Sequence, residues 1–300
     1  MSTASPPVLV TGASGSLGWV LGRRLAGRFR VISTYNVHFA CPEGTTAARL
    51  DLADLEAVRA LLDMHMPRTV FHLAALTNPD ECERNPGAAR RVNLDATREI
   101  ALWCATSGAK LVFASTDLVF DGGKGDYSEE APASPLSVYG MTKLEAERAV
   151  LETCPGAVVI RGSLFYGLSG PAGRTFLASV LYALSKHENI RLFVDQRRNP
   201  VLLEDLAWAF TRCVDLDLAG LYHVAGGEVV TRYEFGKLVC AAFGYDEDLL
   251  VPIRMADFEY EAPRPLDSSL NIAKFTRAAA FEPTPMGRAL ANLKARMPGR

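Results

Sequence analysis

The chain has 300 residues, 49% of them hydrophobic and 22% charged, so it can bury a substantial core and has the composition of an ordinary globular protein. Its 32 basic and 34 acidic residues give a net charge of -2, which excludes strong overall attraction to nucleic acid or to an anionic membrane. The short polar start predicts that there is no signal peptide, and no apolar run reaches membrane-spanning length, so we expect a cytoplasmic protein. The six cysteines are scattered and include no C-x-x-C pair, which predicts free thiols and no metal site.

A glycine-rich turn follows the first predicted strand. The apolar run Val8-Leu9-Val10 stops before Gly12, and Gly15 and Gly18 then complete G-x-x-G-x-x-G ahead of a helical stretch from Trp19 to Arg28. This order suits a dinucleotide, because glycines let the backbone approach a pyrophosphate and the helix N-terminus offers free N–H groups. Tight turns in unrelated proteins use the same letters, but the position directly after a first strand favours the dinucleotide.

The end of the second predicted strand bears on the choice of cofactor. Val31 to Tyr35 reads as this strand, and the segment from Ser33 to His38 contains no carboxylate. An acidic residue here would bind the adenosine ribose diol of NADH and repel a 2'-phosphate. Its absence favours NADPH, with NADH as the other possibility.

Two further segments are candidates for the cofactor site. In Leu50-Asp51-Leu52, before a helical stretch from Asp54 to Asp63, the carboxylate could meet an adenine amino group or could instead interact with the helix dipole. The third predicted strand, Thr69 to Leu73, ends in Ala74 and Ala75, small residues suited to contact with a flat cofactor.

Two polar residues stand within apolar patterns. His72 lies inside the third strand and is interpreted as a core histidine. Asn93 falls in the middle of the helical pattern from Pro86 to Ser107, where its low helix propensity suggests a packing or hydrogen-bonding duty.

The stretch that follows carries the candidate chemistry. A fourth predicted strand, Leu111 to Ala114, ends in Ser115-Thr116-Asp117, and a long loop from Asp121 to Ser137 leads into a helix from Val138 to Glu152. Val158 to Ile160 is a fifth strand. Strands that alternate with helices in this way predict an α/β fold with a doubly wound parallel sheet.

Tyr139 and Lys143 are four residues apart and share one helical face. A free tyrosine has a pKa of about 10, so at neutral pH it is protonated and can act as a general acid toward a carbonyl oxygen. We expect the lysine to lower that pKa, and a shift of about 2 units would be worth about 2.7 kcal/mol. Thr116 can donate to the developing alkoxide. An exposed helical pair is the alternative for Tyr139 and Lys143, and the upstream glycine turn favours the catalytic interpretation.

The regular alternation breaks after Arg161. The predicted later elements are a glycine-rich loop, helices, a strand and one more core strand, at Gly167 to Gly173, Arg174 to Ser185, Ile190 to Val194, Glu204 to Val214, Leu221 to Val224, Thr231 to Phe243 and Met286 to Arg296. We therefore predict a dinucleotide-binding core over residues 1–165, with return elements near 204–225, and a substrate-binding lobe formed by 166–203 and 226–300 that covers the carboxyl edge of the sheet.

Taken together, these motifs resemble the extended short-chain dehydrogenase/reductases, and within them the dTDP-4-dehydrorhamnose reductase group, across nearly the whole chain. The matching stretches are Gly12 to Gly18, Val92-Asn93, Ser115 to Gly122, Tyr139 to Glu147, Arg161 to Ser163, Asp195-Gln196 and Arg264-Pro265.

The resemblance implies a Rossmann core with a small C-terminal lobe, and reduction of a 4-keto sugar linked to a nucleotide, with Thr116, Tyr139 and Lys143 as the catalytic residues. It implies that NADPH, or NADH, is bound by Gly12, Ser14, Gly15, Ser16, Leu17, Gly18, Asp51, Leu52, Ala74, Ala75, Asn93, Tyr139 and Lys143. It places Asp117, Leu118, Leu164 and Arg264 on the substrate side.

Several positions depart from the patterns of related groups. Sugar-nucleotide dehydratases carry an Asp-Glu pair after the threonine, whereas Leu118 follows Asp117 here, so dehydration is disfavoured. The reductase group usually has an aromatic residue where Leu118 stands and a tryptophan where Leu164 stands, and each lost platform removes stacking worth about 1 kcal/mol. Arg198 and Val201, around Pro200, replace a glycine and a threonine. The departures concern the substrate and leave the cofactor prediction intact.

A second function is consistent with the same motifs. The β subunit of methionine adenosyltransferase is similar and retains the tyrosine and lysine, so a non-catalytic NADP-binding regulatory subunit is the alternative. The intact catalytic side chains favour the enzyme, because a pure binding protein does not need a general acid. A homodimer is one possible assembly.

Overall fold

The computed structural model describes residues 7–297. Its strands, β1 to β13, are Pro7–Thr11, Arg30–Tyr35, Thr46–Arg49, Thr69–His72, Lys110–Thr116, Val158–Gly162, Phe165–Tyr166, Ile190–Phe193, Arg197–Arg198, Val201–Leu202, Gly220–Val224, Val230–Thr231 and Leu250–Ile253. Its α-helices, α1 to α11, are Ser16–Ala26, Leu55–His65, Pro79–Arg84, Pro86–Arg90, Ala96–Ser107, Val138–Thr153, Phe176–Ser185, Leu203–Asp215, Arg232–Phe243, Ala273–Ala279 and Met286–Arg296. None of these helices is long and apolar enough to cross a membrane.

A seven-stranded sheet organises the molecule, in the order β11-β6-β5-β4-β1-β2-β3. Every neighbouring pair in it is parallel. The chain winds outward from β1 in one direction through β2 and β3, then returns to build β4, β5, β6 and β11 on the other side. The prediction of a doubly wound parallel sheet is therefore confirmed, and its switch point lies between β1 and β4, where ligands bind in such folds.

The strands on either side of the switch point are buried, which explains why their apolar runs could be read from the sequence. All four residues of β4 are buried. His72 is fully enclosed there, between the hydroxyls of Thr11 (2.8 Å from Nδ1) and Thr97 (3.0 Å from Nε2), and burial lowers its pKa to about 3. It is thus a neutral core histidine, as predicted.

Strand β3 was not predicted from the sequence. Its four residues, Thr46–Arg49, are mostly exposed and include two alanines, so neither apolar alternation nor β propensity marks them. The strand forms because it pairs with β2 at the edge of the sheet.

The helix predicted from Pro86 to Ser107 is not continuous. A π-helical turn, Arg91–Asp95, separates α4 from α5 and contains Asn93. Such turns often occur at functional sites, because the inserted residue redirects a side chain. Here the turn buries Asn93, whose Oδ1 accepts from the Leu76 N–H (2.8 Å) and whose Nδ2 donates to the Leu76 carbonyl (3.1 Å) and to Thr142 Oγ1 (3.1 Å).

The later part of the chain builds a second, smaller apolar core. This core includes Tyr166, Leu177, Leu192, Phe235 and Leu290, from β7, α7, β8, α9 and α11. The short pairs β10-β7, β12-β9 and β13-β8 lie in the same part of the chain. Helix α10 differs, because it packs against β11 and α8 beside the main sheet. Val201, Leu203 and Phe281 pack in the same main core. The division into a core and a lobe formed by 166–203 and 226–300 stays a prediction.

Candidate active site

The glycine turn lies at the switch point and is shaped by close backbone contacts. Gly12 has a φ of +66°, and a Cβ there would lie 3.0 Å from the backbone of Ala74. A Cβ on Gly18 would lie 2.2 Å from the Gly12 carbonyl oxygen. Helix α1 begins at Ser16 without a side-chain cap, so its first N–H groups are free to bind an anion. The turn fits the pyrophosphate of a dinucleotide.

A cleft of about 860 Å³ runs along the carboxyl edge of the sheet from this turn. It brings together nearly all of the residues that the sequence predicted for the site: Gly12, Ser14, Gly15, Ser16, Leu17, Gly18, Asp51, Leu52, Ala74, Ala75, Thr116, Asp117, Leu118, Tyr139, Lys143 and Leu164. Asn93 and Arg264 do not line it. The volume is within the usual range for small-molecule sites.

The adenosine end of the cleft is formed by the ends of β2 and β3. Tyr35 and Asn36 line it, and the Thr34 side chain is turned back to accept from the Gly12 N–H (3.2 Å). Asp51 also lines the cleft, with its Oδ1 accepting from the Ala53 N–H (2.9 Å). The N-cap of α2 is Asp54, so capping of that helix does not require Asp51.

Tyr139 is buried at the start of α6, packed against Cys82 and Ala89 of α3 and α4. Its phenol lies beside the Thr116 hydroxyl at the end of β5. That hydroxyl donates to Asp117 Oδ1 (3.2 Å) and accepts from the Leu118 N–H (3.2 Å). Burial, followed by the charge of Asp117, raises the pKa of the Tyr139 phenol well above its usual value. The phenol is therefore held in its protonated form, as a general acid requires.

Lys143 lies one helical turn further along α6 and is also buried. Its ammonium donates to the carbonyl of Ala114 (2.7 Å) and lies 4.0 Å from the centre of the Phe113 ring. Burial lowers the pKa of Lys143 to about 7, although the carboxylate of Glu147 raises it. The expectation that Lys143 lowers the pKa of Tyr139 does not hold in this structure, because burial and Asp117 together dominate the phenol.

A buried ion pair between Glu147 and Arg161 lies next to the catalytic residues. Glu147, four residues after Lys143, accepts from Arg161 Nε (3.0 Å) and Nη2 (2.6 Å) and from the hydroxyl of Ser115. Arg161 lies on β6, and its Nη1 reaches His223 Nε2 (3.4 Å). The pair thus ties α6 to β5 and β6 directly behind Thr116.

A second buried ion pair closes the substrate side. Asp117 Oδ2 lies 3.0 Å from Arg198 Nε, and Ser268 Oγ donates to the same oxygen (2.5 Å). Arg198 also donates to the carbonyls of Arg197 (2.6 Å) and Pro265 (3.3 Å). The Oδ2 atom of Asp117 is therefore bound by residues of the later part of the chain, while its Oδ1 accepts from the Thr116 hydroxyl (3.2 Å). Leu118 and Leu164 present apolar surface to the cleft.

Two residues carried over from the resemblance have other partners in this chain. Asn93 holds the main chain of Leu76, a cleft residue, so it shapes the wall without lining it. Arg264 is paired with Asp80 of α3 (3.0 Å) and lies 5.3 Å from the centre of the Tyr260 ring.

Sequence reasoning missed part of the cleft wall. The segment from Ala172 to Phe176 lines it, and Ser16 Oγ donates to the Arg174 carbonyl (3.3 Å), which closes this segment over the glycine turn. Ser163, after β6, also lines it. The only sequence signals were the glycine-rich composition after residue 166 and a hydroxyl at a strand end, and both are common in loops.

The switch-point glycine turn and the Thr116, Tyr139 and Lys143 cluster beside it define the class of this protein: an NAD(P)-dependent oxidoreductase of Rossmann fold. Residues 7–297 match the family described as the RmlD substrate binding domain, and the chain belongs to that family.

Relatives and solved structures agree with this assignment. The chain is 34% identical to the probable low-salt glycan biosynthesis reductase Agl14 of Haloferax volcanii over 271 residues, covering 88% of this chain and 89% of the relative. It is 33% identical to methionine adenosyltransferase 2 subunit beta of Mus musculus over 290 residues, covering 93% and 84%. The crystal structure of dTDP-4-dehydrorhamnose reductase from Bacillus anthracis in complex with NADP superposes with a TM-score of 0.86, at 25% identity, covering 98% of this chain and all of that one.

Proposed function

We propose that this protein uses NAD(P)H to reduce the keto group of a nucleotide-activated sugar, in the manner of a dTDP-4-dehydrorhamnose reductase. The observation that carries the proposal is the position of Tyr139. Its protonated phenol contacts Thr116 at the carboxyl edge of the sheet, in the same cleft as a glycine turn shaped for a pyrophosphate.

The residues of the cleft have distinct duties in this reaction. When bound, NAD(P)H would supply the hydride that adds to the carbonyl carbon. Tyr139 gives its proton to the carbonyl oxygen as negative charge develops there, and Thr116 donates a hydrogen bond to the same oxygen. Lys143, when charged, is placed to bind ribose hydroxyls of the cofactor.

We further propose that NADPH is preferred over NADH. The end of β2 presents Tyr35 and Asn36 to the cleft and no carboxylate that would repel a 2'-phosphate. The solved structure from Bacillus anthracis contains NADP. A strong preference for NADH in titrations with both cofactors would contradict this choice.

A non-catalytic regulatory subunit is the second candidate, favoured by the 33% identity to the methionine adenosyltransferase subunit. Such a protein would bind NADP and a partner enzyme without consuming the cofactor. The buried, protonated Tyr139 in contact with Thr116 favours the reductase, because partner binding requires neither group in the cleft.

The two candidates are separated by one assay. The protein is incubated with NADPH and a panel of nucleotide-linked 4-keto sugars while nicotinamide absorbance is followed. Loss of absorbance with at least one sugar supports the reductase. No oxidation with any member, together with capture of a methionine adenosyltransferase catalytic subunit, would replace it with the regulatory function.

A further inference from the structure

One arginine, Arg232, lies next to the wall of the cleft without lining it, and it lacks a counter-ion. Arg232, the first residue of α9, donates from Nε to the buried Gln196 Oε1 (3.0 Å), and its guanidinium lies 4.3 Å from the centre of the Phe176 ring. Phe176 lines the cleft. Within residues 7–297, no carboxylate lies within 4.0 Å of Arg232 and no acceptor meets its two terminal nitrogens.

The neighbouring arginines are already paired. Arg198 has Asp117 at 3.0 Å and two main-chain carbonyls. Arg264 has Asp80 at 3.0 Å and the carbonyl of Ala262 at 2.8 Å. A third carboxylate near Arg198, that of Asp267, is paired with Arg197 (3.4 Å). Arg232 is therefore the guanidinium of this group that has no paired carboxylate.

The surroundings of Arg232 make that charge costly. Burial, followed by repulsion from Arg198, lowers the pKa of Arg232 to about 9, while Asp117 and Tyr260 oppose the shift. A recessed cation without a partner is destabilising unless a ligand supplies the anion. The N-terminus of α9 does not provide the binding group, because Thr231 and Glu234 form a capping box there.

We propose that Arg232 binds the diphosphate of the nucleotide-sugar substrate. The planar fork of two free terminal nitrogens matches phosphate oxygens, and the face of Phe176 holds it in place. This inference rests on the proposed function for the class of substrate. It differs from the assignment implied by the family resemblance, which gave the substrate role to Arg264.

The test measures binding and needs no turnover. The protein is saturated with NADP, so that the pyrophosphate site at the glycine turn is filled, and is titrated calorimetrically with dTDP and with UDP. Arg232→Met is expected to weaken binding of the preferred nucleoside diphosphate about tenfold or more, since charge-assisted hydrogen bonds to phosphate are lost. NADP affinity and the melting temperature should not fall.

Arg191→Met is the matched control. Arg191 is an exposed arginine that also lies near an aromatic ring, 6.0 Å from the centre of Phe258, but outside the cleft. It should leave dTDP and UDP binding unchanged. Arg232→Lys keeps the charge without the fork and should restore part of the affinity.

Other outcomes overturn the inference. Unchanged dTDP and UDP affinity in Arg232→Met, or no binding of either by the unmodified protein, would do so even if keto sugars are reduced. Conversely, Arg232-dependent binding without reduction of any keto sugar would uphold the inference and reject the proposed reductase.

Discussion

Lys143 combines a functional charge with an environment that disfavours it. Its side chain is 3% exposed, and burial lowers its pKa from 10.5 to about 7. Between these two values the folded protein binds fewer protons than the unfolded chain, so the free energy of unfolding rises with pH through that window. Below about pH 7 the cost of the buried ammonium is fully present.

This gives a prediction for Lys143→Met. The free energy of unfolding of the unmodified protein, minus that of the variant, should rise by about 2 kcal/mol between pH 7 and pH 9, because only the unmodified protein loses a buried charge. Urea denaturation at both pH values measures it. A difference that does not change with pH would show that Lys143 titrates normally.

For single residues, the sequence was informative where the functional groups lie close together in the chain. The glycine turn and the Tyr139 to Lys143 spacing each lie within one short segment, so their positions could be predicted. The duty of Arg232 could not, because it follows from what Arg198, Arg264 and their carboxylates do after folding. The partners of Asn93 could not be predicted for the same reason, because its amide binds Leu76 and Thr142 only in the folded chain, and its role as a cofactor contact stays a prediction.

Among the elements, α6 sets the geometry of the site. Tyr139, Lys143 and Glu147 follow one another at four-residue intervals, so they face the same side of the helix. The first contacts Thr116, the second reaches Ala114 and the third holds Ser115 and Arg161. Three side chains on successive turns of α6 thus contact the end of β5.

We predict a large difference between two glutamates of α6. Glu147→Gln leaves Arg161 buried without a counter-ion and should cost about 3 to 5 kcal/mol of stability. Glu145→Gln removes only an exposed pair with Arg90 and should cost less than about 1 kcal/mol. Denaturant titrations of both variants measure the contrast, and equal losses would contradict the role assigned to Glu147.

Elements were predictable in proportion to their burial and length. β1, β4 and β5 were recognised from apolar runs, whereas the exposed β3 and the two-residue strands of the lobe carry no such pattern. The π-helical turn at Arg91–Asp95 escaped because its residues continue the helical periodicity. Only the structure shows the π-helical turn, through the burial of the Asn93 side chain.

At the scale of the whole molecule, the pair between Asp117 and Arg198 joins the main sheet to the later part of the chain. Asp117 follows β5, and Arg198 lies on β9, with side-chain exposures of 7% and 4%. A buried pair of this kind contributes little compared with apolar packing, but loss of one partner is costly. The contact also fixes the residue next to Thr116.

The corresponding prediction is a double-mutant cycle. Asp117→Asn and Arg198→Met should each lower the free energy of unfolding by about 3 kcal/mol or more, and the double variant should lose less than the sum by at least about 1 kcal/mol. Thermal or urea unfolding of the four proteins gives the coupling. Additive losses would mean that the two groups act independently.

The central claim is that Tyr139 is the general acid of a keto-sugar reductase. Its most direct test is Tyr139→Phe, assayed for reduction with the best sugar of the panel and for NADPH binding by fluorescence titration. The account predicts a loss of turnover of at least about a hundredfold, with cofactor affinity and stability retained. Undiminished turnover in this variant would contradict it.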